Sequence, residues 1–300
     1  MIKKIGLVLK PNLVEASVQV SLIFEWIKKN SYQIYSDERT FDLLKNFYKL
    51  DSTENIKSNP VEELVNNCDV IITLGGDGTF IGVARNITES SSVIMLGVNF
   101  GTLGYLTEIP VNELSEILPL LSSGKFELET RSLLKVEVFD SQNQVVFKSR
   151  ALNDVVVAKG AHERLLKLHI TVDEHLLSEY RGDGVILSTP TGSTAYSLAA
   201  GGSIVYPTLD VTLLTPLCPH SLTIRPLILP SSNVIEVKMP EFLQEVFVTV
   251  DGQQIHHLQK NEFVRVTKSS VCVKLVKSKD RSYFDVLTAK LNWGIPNRAD

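Results

Sequence analysis

The run Val70-Ile-Ile-Thr-Leu74, followed at once by Gly75-Gly-Asp-Gly-Thr79, constrains this chain more than any other stretch. Consecutive apolar, β-branched residues without polar alternation belong to a strand buried on both faces, as in a parallel sheet covered by helices. Glycines at 75, 76 and 78 open the backbone to close approach by a phosphate, and a helix expected to start near Thr79 aims its N-terminus at the same anion. Asp77 is the discordant residue. A carboxylate beside phosphate is repelled unless a cation intervenes or it handles a proton, which points to phosphoryl transfer rather than phosphate binding alone. An Asp-Gly turn is the plainer alternative, and three glycines in four positions after a buried strand weigh against it.

The flanking segments support a parallel sheet. Residues 5–9 read as a strand, and Val14, Val18, Leu22 and Trp26 recur at helical spacing before Lys28-Lys29-Asn30. A short strand is expected at 32–35. Residues 36–60 are polar and weakly periodic and yield no element. Pro60 opens a helix over 61–67, Phe80, Val83, Ala84 and Ile87 mark another helical face, and 92–98 form a further buried strand. Such alternation implies right-handed α/β units, with ligands at the carboxyl ends of the strands. A second glycine-rich loop, Asn99-Phe-Gly-Thr-Leu-Gly-Tyr-Leu-Thr107, leaves at that same edge. It carries neither the dinucleotide fingerprint nor a Gly-x-x-x-x-Gly-Lys-Ser/Thr loop, and a turn before a helix around Leu114, Ile117, Leu118 and Leu121 is its plain reading. Tyr105, by itself, is read as core rather than as a base-stacking ring.

After Gly124 the pattern changes to short apolar or alternating runs at 126–139, 145–158, 165–172, 184–188, 222–229, 234–239, 246–250, 263–266 and 271–276. Strands with little helix mean an all-β domain of two packed sheets, interrupted near 194–199. Helical spacing returns at Tyr283-Phe284 and 286–291. The expected division is an α/β domain over 1–123, a β domain over 124–276 and a segment over 277–300 that packs back on the first.

A formal net charge of -4 argues against nucleic acid or anionic membrane as partner, and no apolar run approaches the roughly 18 residues of a membrane span. Cys68, Cys218 and Cys272 are widely spaced, without a metal-ligand rhythm, and fit a reducing cytoplasm.

Four segments of the β domain are richer in polar groups than a core requires. Asn153-Asp154 sets an amide beside a carboxylate, which can donate to and accept from vicinal ribose hydroxyls, or forms an ordinary turn. Arg181 and Asp183, two apart in an extended stretch, share a face; the first suits a diphosphate, and a surface ion pair is the alternative. In Ser188-Thr-Pro-Thr-Gly-Ser-Thr-Ala-Tyr-Ser197 six hydroxyl residues besides Tyr196 exceed what helix caps use, so a nucleotide is the expected partner. Val250-Asp251-Gly252-Gln253 reads as a hairpin turn whose Gln253 can meet a ligand amide.

Taken together, Gly75-Gly-Asp-Gly-Thr79, the Asn99 to Thr107 loop, Asn153-Asp154, the block from Arg181 to Tyr196 and Asp251-Gly-Gln253 resemble the NAD kinase family in order and spacing, over roughly residues 10–293. Gly-Gly-Asp-Gly alone is less specific, because phosphofructokinases and diacylglycerol-type lipid kinases share it. The resemblance implies the two-domain NAD kinase/diacylglycerol kinase-like fold and ATP-dependent phosphorylation of the 2′-hydroxyl of the adenosine ribose of NAD, with a divalent cation, Mg²⁺, accompanying ATP. It implies Asp77 as proton acceptor, with metal ligation as the rival role, and Gly78 in the phosphate loop. Asn153 and Asp154 are implied on ribose. Arg181, Asp183, Thr194, Ala195, Tyr196, Ser197, Leu198, Ala199 and Gln253 are implied along the dinucleotide, and Arg164 at a further contact. It further implies a cytoplasmic homodimer or homotetramer, with the dinucleotide between the two domains and its site completed by a neighbouring subunit. Asp154 replaces the more usual glutamate, and Tyr105 stands where phenylalanine is common. Another Gly-Gly-Asp-Gly kinase acting on a lipid or sugar phosphate, or a non-catalytic NAD-binding regulator, are the competing readings.

Overall fold

A computed structural model describes residues 2–11, 13, 16–48, 56–101, 103–161, 164–241 and 245–293. By its contacts the chain divides into two units, Met1–Thr130 with Val273–Asp300, and Arg131–Cys272.

The first unit opens as the apolar runs dictate: β1 (Lys4–Leu9), α1 (Ser17–Lys29), β2 (Gln33–Ser36), α2 (Glu38–Asn46), β3 (Ile56–Ser58), α3 (Val61–Asn67), β4 (Val70–Gly75), α4 (Asp77–Ala84), β5 (Ile94–Asn99), β6 (Ile109–Pro110) and α5 (Leu114–Ser123). The strands pair in parallel in the order β3-β2-β1-β4-β5. All six residues of β4 are buried. Ile72 and Leu74 join Ile5, Leu7, Leu96 and Val98 in one core, closed by Val20 and Ile23 of α1 and Leu114 and Ile117 of α5. Strand order reverses between β1 and β4, and in such sheets the crevice for ligands opens at the carboxyl ends of those strands. The glycine loop leaves β4 there, braced on both sides: Lys10 N–H donates to Leu74 O at 2.8 Å and Phe100 N–H to Gly75 O at 3.2 Å.

Two sequence expectations change here. The helix after the loop begins at Asp77 rather than near Thr79, with Gly76 as its N-cap, so the carboxylate sits in the first turn. Residues without a predicted element contain α2, started by Asp37, whose side chain accepts from Thr40 N–H at 3.2 Å. This cap carries no periodicity to detect. Val14, counted in the first helical face, lies outside the described residues.

The second unit is built from β7 (Leu128–Phe139), β8 (Val145–Ala151), β9 (Asp154–Lys159), β10 (Leu166–Val172), β11 (His175–Gly182), β12 (Gly184–Ser188), the short α6 (Tyr196–Ala199), β13 (Val211–Leu217), β14 (Leu227–Pro230), β15 (Ile235–Lys238), β16 (Val246–Val250), β17 (Gln254–Leu258) and β18 (Phe263–Val276). The two ends of this series, in β7 and β18, run into the first unit. One sheet runs β11-β10-β15-β18, with β7 pairing β18 and β8; the other is antiparallel in the order β14-β13-β12-β9-β16-β17. Val155, Val157, Val185 and Val248 of the second sheet share a core with Leu168, Ile170, Val237 and Val264 of the first, so the two-sheet expectation holds. The segment expected over 145–158 breaks at Leu152 and Asn153 into β8 and β9. Three strands, β11, β13 and β17, have no counterpart among the expected runs. Most of β11 is exposed or half-buried, and β13 carries Pro216, a residue that argues against an interior strand.

Back in the first unit, Lys274 and Leu275 pair in parallel with Ile94 and Met95, and α7 (Tyr283–Leu291) follows with a reciprocal Ser282–Asp285 capping box. Among the described residues no helix is long and apolar enough to cross a membrane.

Candidate active site

In the first unit the two glycine-rich loops meet in a closed contact. Asp77 Oδ1 accepts from Leu106 N–H at 3.1 Å, Thr107 N–H at 3.0 Å and Thr107 Oγ1 at 2.9 Å, and Oδ2 accepts from Tyr105 N–H at 2.9 Å. Asn99 Nδ2 donates to Thr107 O at 2.9 Å, tying the far end of the second loop back to β5. The second loop is therefore more than a turn before a helix: it supplies four donors to the lone carboxylate of the first. Oδ1 is filled by three of them, whereas Oδ2 takes one and keeps acceptor capacity.

Gly75 and Gly104 serve this contact through space rather than through unusual backbone angles, while Gly101 of the second loop has a φ of 128°. A Cβ on Gly104 would lie 2.1 Å from Asp77 Oδ1 and 2.2 Å from Thr107 Oγ1, and one on Gly75 would lie 2.6 Å from Thr79 Oγ1. Gly76 has open space where its Cβ would be, leaving the N-terminus of α4 uncovered. Gly78 lies in the first turn of that helix. Thr102 of the second loop is outside the described residues. Tyr105 is half-buried rather than core, its ring 6.4 Å from that of Tyr283.

In the second unit a carboxylate again gathers backbone amides. Asp251 Oδ1 accepts from Asn153 N–H at 2.7 Å and Asp154 N–H at 3.0 Å, and Oδ2 from Leu152 N–H at 2.9 Å. Asp251 and Gly252 both have positive φ, 51° and 63°, as a tight hairpin turn between β16 and β17 requires. Asp tolerates that region because its side chain bonds locally. The Asp154 carboxyl receives Tyr196 N–H and is 5% exposed. Burial, and then the nearby charge of Asp251, push its pKa up to about 7 against the opposing Tyr196 hydrogen bond. The expectation of a plain acceptor is thereby modified: near neutrality this carboxyl is divided between donor and acceptor forms.

That shift predicts a pH-dependent stability. The folded state holds the Asp154 proton up to about pH 7, whereas the unfolded chain releases it near 3.8, so between these values the folded state binds more protons and loses stability as pH rises. Asp154→Asn keeps the acceptor for Tyr196 N–H and removes the charge. Its stability relative to the parent chain should rise between pH 4 and 7 and level off above, by on the order of 1–4 kcal/mol. Urea denaturation at pH 5 and pH 8 checks this, and a difference independent of pH would refute it.

The hydroxyl-rich segment finds uses that its sequence reading did not foresee. Ser188 Oγ donates to Asn153 O and Thr189 Oγ1 to Leu152 O. Ser193 Oγ donates to Pro190 O and accepts from Val205 N–H, Thr194 Oγ1 donates to Thr191 O, and Ser197 Oγ pairs with Thr215 Oγ1. Arg131, buried on β7, donates to Thr191 Oγ1 at 3.4 Å. All six hydroxyls thus have protein partners, in a segment that leaves β12 and passes through a short 3-10 turn into α6. A Cβ on Gly192 would lie 2.1 Å from Asn153 O, which shows how closely the turn packs on the Asn153-Asp154 backbone. Beside that packed turn, Tyr196 is 49% exposed, and Ala195, Leu198 and Ala199 are half-buried or exposed.

Not all predicted residues come together. Ser188 pairs with Asp154 in the β9–β12 register, while Gly184 pairs with Ala158, about 13 Å away along the strand. Arg181 and Asp183 enter at that opposite end. Arg181 pairs with Glu241 at 3.0 Å and Asp183 with Lys159 at 3.7 Å, so each has a partner outside the Arg181–Asp183 pair of the alternative reading. Gln253 is exposed in the hairpin turn, and Arg164 is exposed before β10. Sequence reasoning missed Thr107 and Asp251 as anchors, since their partners lie about thirty and a hundred residues away and no spacing rule spans such separations. Among the described residues no group of three or more His, Cys, Asp or Glu side chains is placed to hold a metal ion.

Comparison with known proteins agrees over both units. The ATP-NAD kinase N-terminal domain profile matches residues 5–126 and the ATP-NAD kinase C-terminal domain profile residues 152–278. The chain is 37% identical over 293 residues to an NAD kinase of Citrifermentans bemidjiense, covering 97% of this chain and 99% of the relative. It is 43% identical over 226 residues to one of Geobacter sulfurreducens, covering 75% and 79%. Yeast NADH kinase, solved with NADH, superposes with a TM-score of 0.87 at 26% identity, covering all of this chain and 90% of that one. An NAD kinase of Archaeoglobus fulgidus, solved with ATP, shares the fold at a TM-score of 0.71 and 23% identity, covering 96% and 98%. With both domain profiles matched and relatives aligned over nearly its whole length, this chain belongs to the NAD kinase family.

Proposed function

We propose that the chain transfers the terminal phosphoryl group of ATP to the 2′-hydroxyl of the adenosine ribose of NAD, forming NADP, with Asp77 at the reacting hydroxyl. The observation that carries this reading is the Asp77 carboxylate, held by four hydrogen bonds at the first turn of α4 with one oxygen still able to accept a proton. A site for phosphate alone has no use for such a group. A loose phosphoryl-transfer transition state asks mainly for positioning and charge neutralisation, and a base contributes late. The 75–78 loop and the uncovered N-terminus of α4 then take the triphosphate, Gly78 included.

Asn153 and Asp154 hold the ribose hydroxyls, and Thr194, Ala195, Tyr196, Ser197, Leu198, Ala199 and Gln253 line the dinucleotide. A ribose hydroxyl donating to Asp154 favours its ionised form and offsets part of the cost of burying it. Arg181 and Asp183, at the far end of β12, serve a site completed with a second copy of the chain, which makes a homo-oligomer part of this proposal; Arg164 is carried with them. A divalent cation fits as a companion of ATP rather than as a resident of the protein. Asp77 Oδ2 is the carboxylate atom available to it, and when bound it neutralises phosphate charge. A cytoplasmic setting belongs to the same reading. Nothing in the fold or the relatives favours a lipid or sugar-phosphate acceptor, or a regulator without turnover.

The test is direct. Purified protein incubated with ATP, Mg²⁺ and NAD should form NADP, followed with an NADP-specific dehydrogenase. Folded protein that binds NAD without forming NADP would support the regulator instead.

A further inference from the structure

The carboxyl-terminal helix touches the loop that holds Asp77. Arg281, just before α7, donates from Nη1 to Glu108 O at 3.0 Å and from Nη2 to Glu113 Oε1 at 2.8 Å. Glu108 is itself buried and directly follows Thr107, the residue that gives Asp77 two of its four hydrogen bonds. The preceding peptide, Thr107–Glu108, is held by Asn99 Nδ2 on Thr107 O. Two residues further along, the Tyr283 ring packs 6.4 Å from the ring of Tyr105, whose N–H bonds Asp77 Oδ2, and Lys290 Nζ lies 5.9 Å from the same Tyr105 ring. Tyr283, Val286 and Leu287 are buried and seat the helix.

We propose that Arg281 is a positioning residue for Asp77, acting through the Glu108 carbonyl on the backbone that follows Thr107, with α7 as the clamp that keeps the 105–108 segment against the carboxylate. The inference rests on the reading of Asp77 given above. A guanidinium suits the role because its planar fork reaches a backbone carbonyl and a carboxylate at once, which an ammonium cannot do in the same geometry. Displacement of the donor segment leaves the nucleotide-binding groups in place and shifts only the orientation of the reacting oxygen. Errors of about 1 Å at such a group cost up to roughly 100-fold in rate.

The experiment compares Arg281→Ala in the parent chain and in Asp77→Asn, measuring kcat, KM for NAD and ATP, and the urea midpoint. In the parent chain kcat should fall roughly 10- to 100-fold while both KM values stay within about threefold, and added guanidinium ion should restore part of the loss. In Asp77→Asn the same substitution should change the residual rate by less than about threefold, because the group it positions is already gone. Equal fold losses in the two backgrounds, or no loss in the parent chain, overturn the proposal. Should Arg281→Ala fail to fold, Arg281→Lys, which keeps the charge but not the fork, goes through the same comparison with the same criteria. Near-normal turnover by Asp77→Asn alone refutes the reading of Asp77; slow Asp77→Asn beside an unaffected Arg281→Ala refutes only the positioning role.

Discussion

Asp77→Asn should leave a folded protein that binds NAD and ATP and forms NADP roughly 10² to 10⁴ times more slowly. The structure makes this substitution informative because most of the local bonding survives it. The amide oxygen of asparagine, placed at Oδ1, still accepts from Leu106 N–H, Thr107 N–H and Thr107 Oγ1. Only the Tyr105 N–H loses its acceptor, a cost of about 1–3 kcal/mol that a domain of this size tolerates. What disappears is the oxygen with spare acceptor capacity, the one available to a hydroxyl proton or to a cation. A fall in kcat with KM nearly unchanged is the signature of a group used in the transition state rather than in ground-state binding. Near-normal turnover by a well-folded variant would remove Asp77 from the chemistry.

The second large effect falls on stability. Asp251→Ala takes the acceptor from three consecutive backbone amides, those of Leu152, Asn153 and Asp154, and places alanine at a φ of 51°. Each buried donor left unpaired costs about 1–3 kcal/mol, and a left-handed residue without a bonding side chain about 1–2 kcal/mol more. Relief of the charge repulsion on Asp154 offsets part of this. The net loss should be on the order of 3–5 kcal/mol in urea denaturation at pH 7. Asp251→Asn, which keeps the turn conformation and one acceptor oxygen, should lose less. A change below about 1 kcal/mol for the alanine variant would mean that the 152–154 backbone does not depend on Asp251. The same measurement bears on binding, since Asn153 and Asp154 are the proposed ribose partners and their backbone hangs on that one carboxylate.

Some of this protein is written locally. The β4 strand and its glycine loop are legible because an unbroken β-branched run permits little besides a doubly buried strand, and glycines directly after it mark a close approach. The α3 start at Pro60 and the helix α5 follow from local caps and apolar spacing in the same way. The resemblance of five spaced blocks carried the family assignment further than any single motif did. Other features fail locally for identifiable reasons. An N-cap taken by Gly76 has no side chain to announce it, so local signals point to a helix start two residues past the real one at Asp77. A proline in β13 argues against a strand that pairing on both sides nevertheless forms.

The hydroxyl run from Ser188 to Ser197 is the instructive case. Its composition correctly signals many hydrogen bonds, but composition does not say to whom, and packing of Gly192 against Asn153 turns those hydroxyls toward the chain's own carbonyls. Arg181 and Asp183 likewise read as ligand groups in sequence, and strand register sets them past Gly184, whose partner Ala158 lies about 13 Å along the strand from Asp154. Burial pattern, strand type and the glycine loop were settled by neighbours along the chain, because backbone sterics and side-chain periodicity act over a few residues. Which carboxylate meets which amides, that Asp154 titrates near neutrality, and that Arg281 reaches the loop holding Asp77 were settled by folding, because hydrogen bonds and charges act through distance in space and no spacing in the chain encodes it.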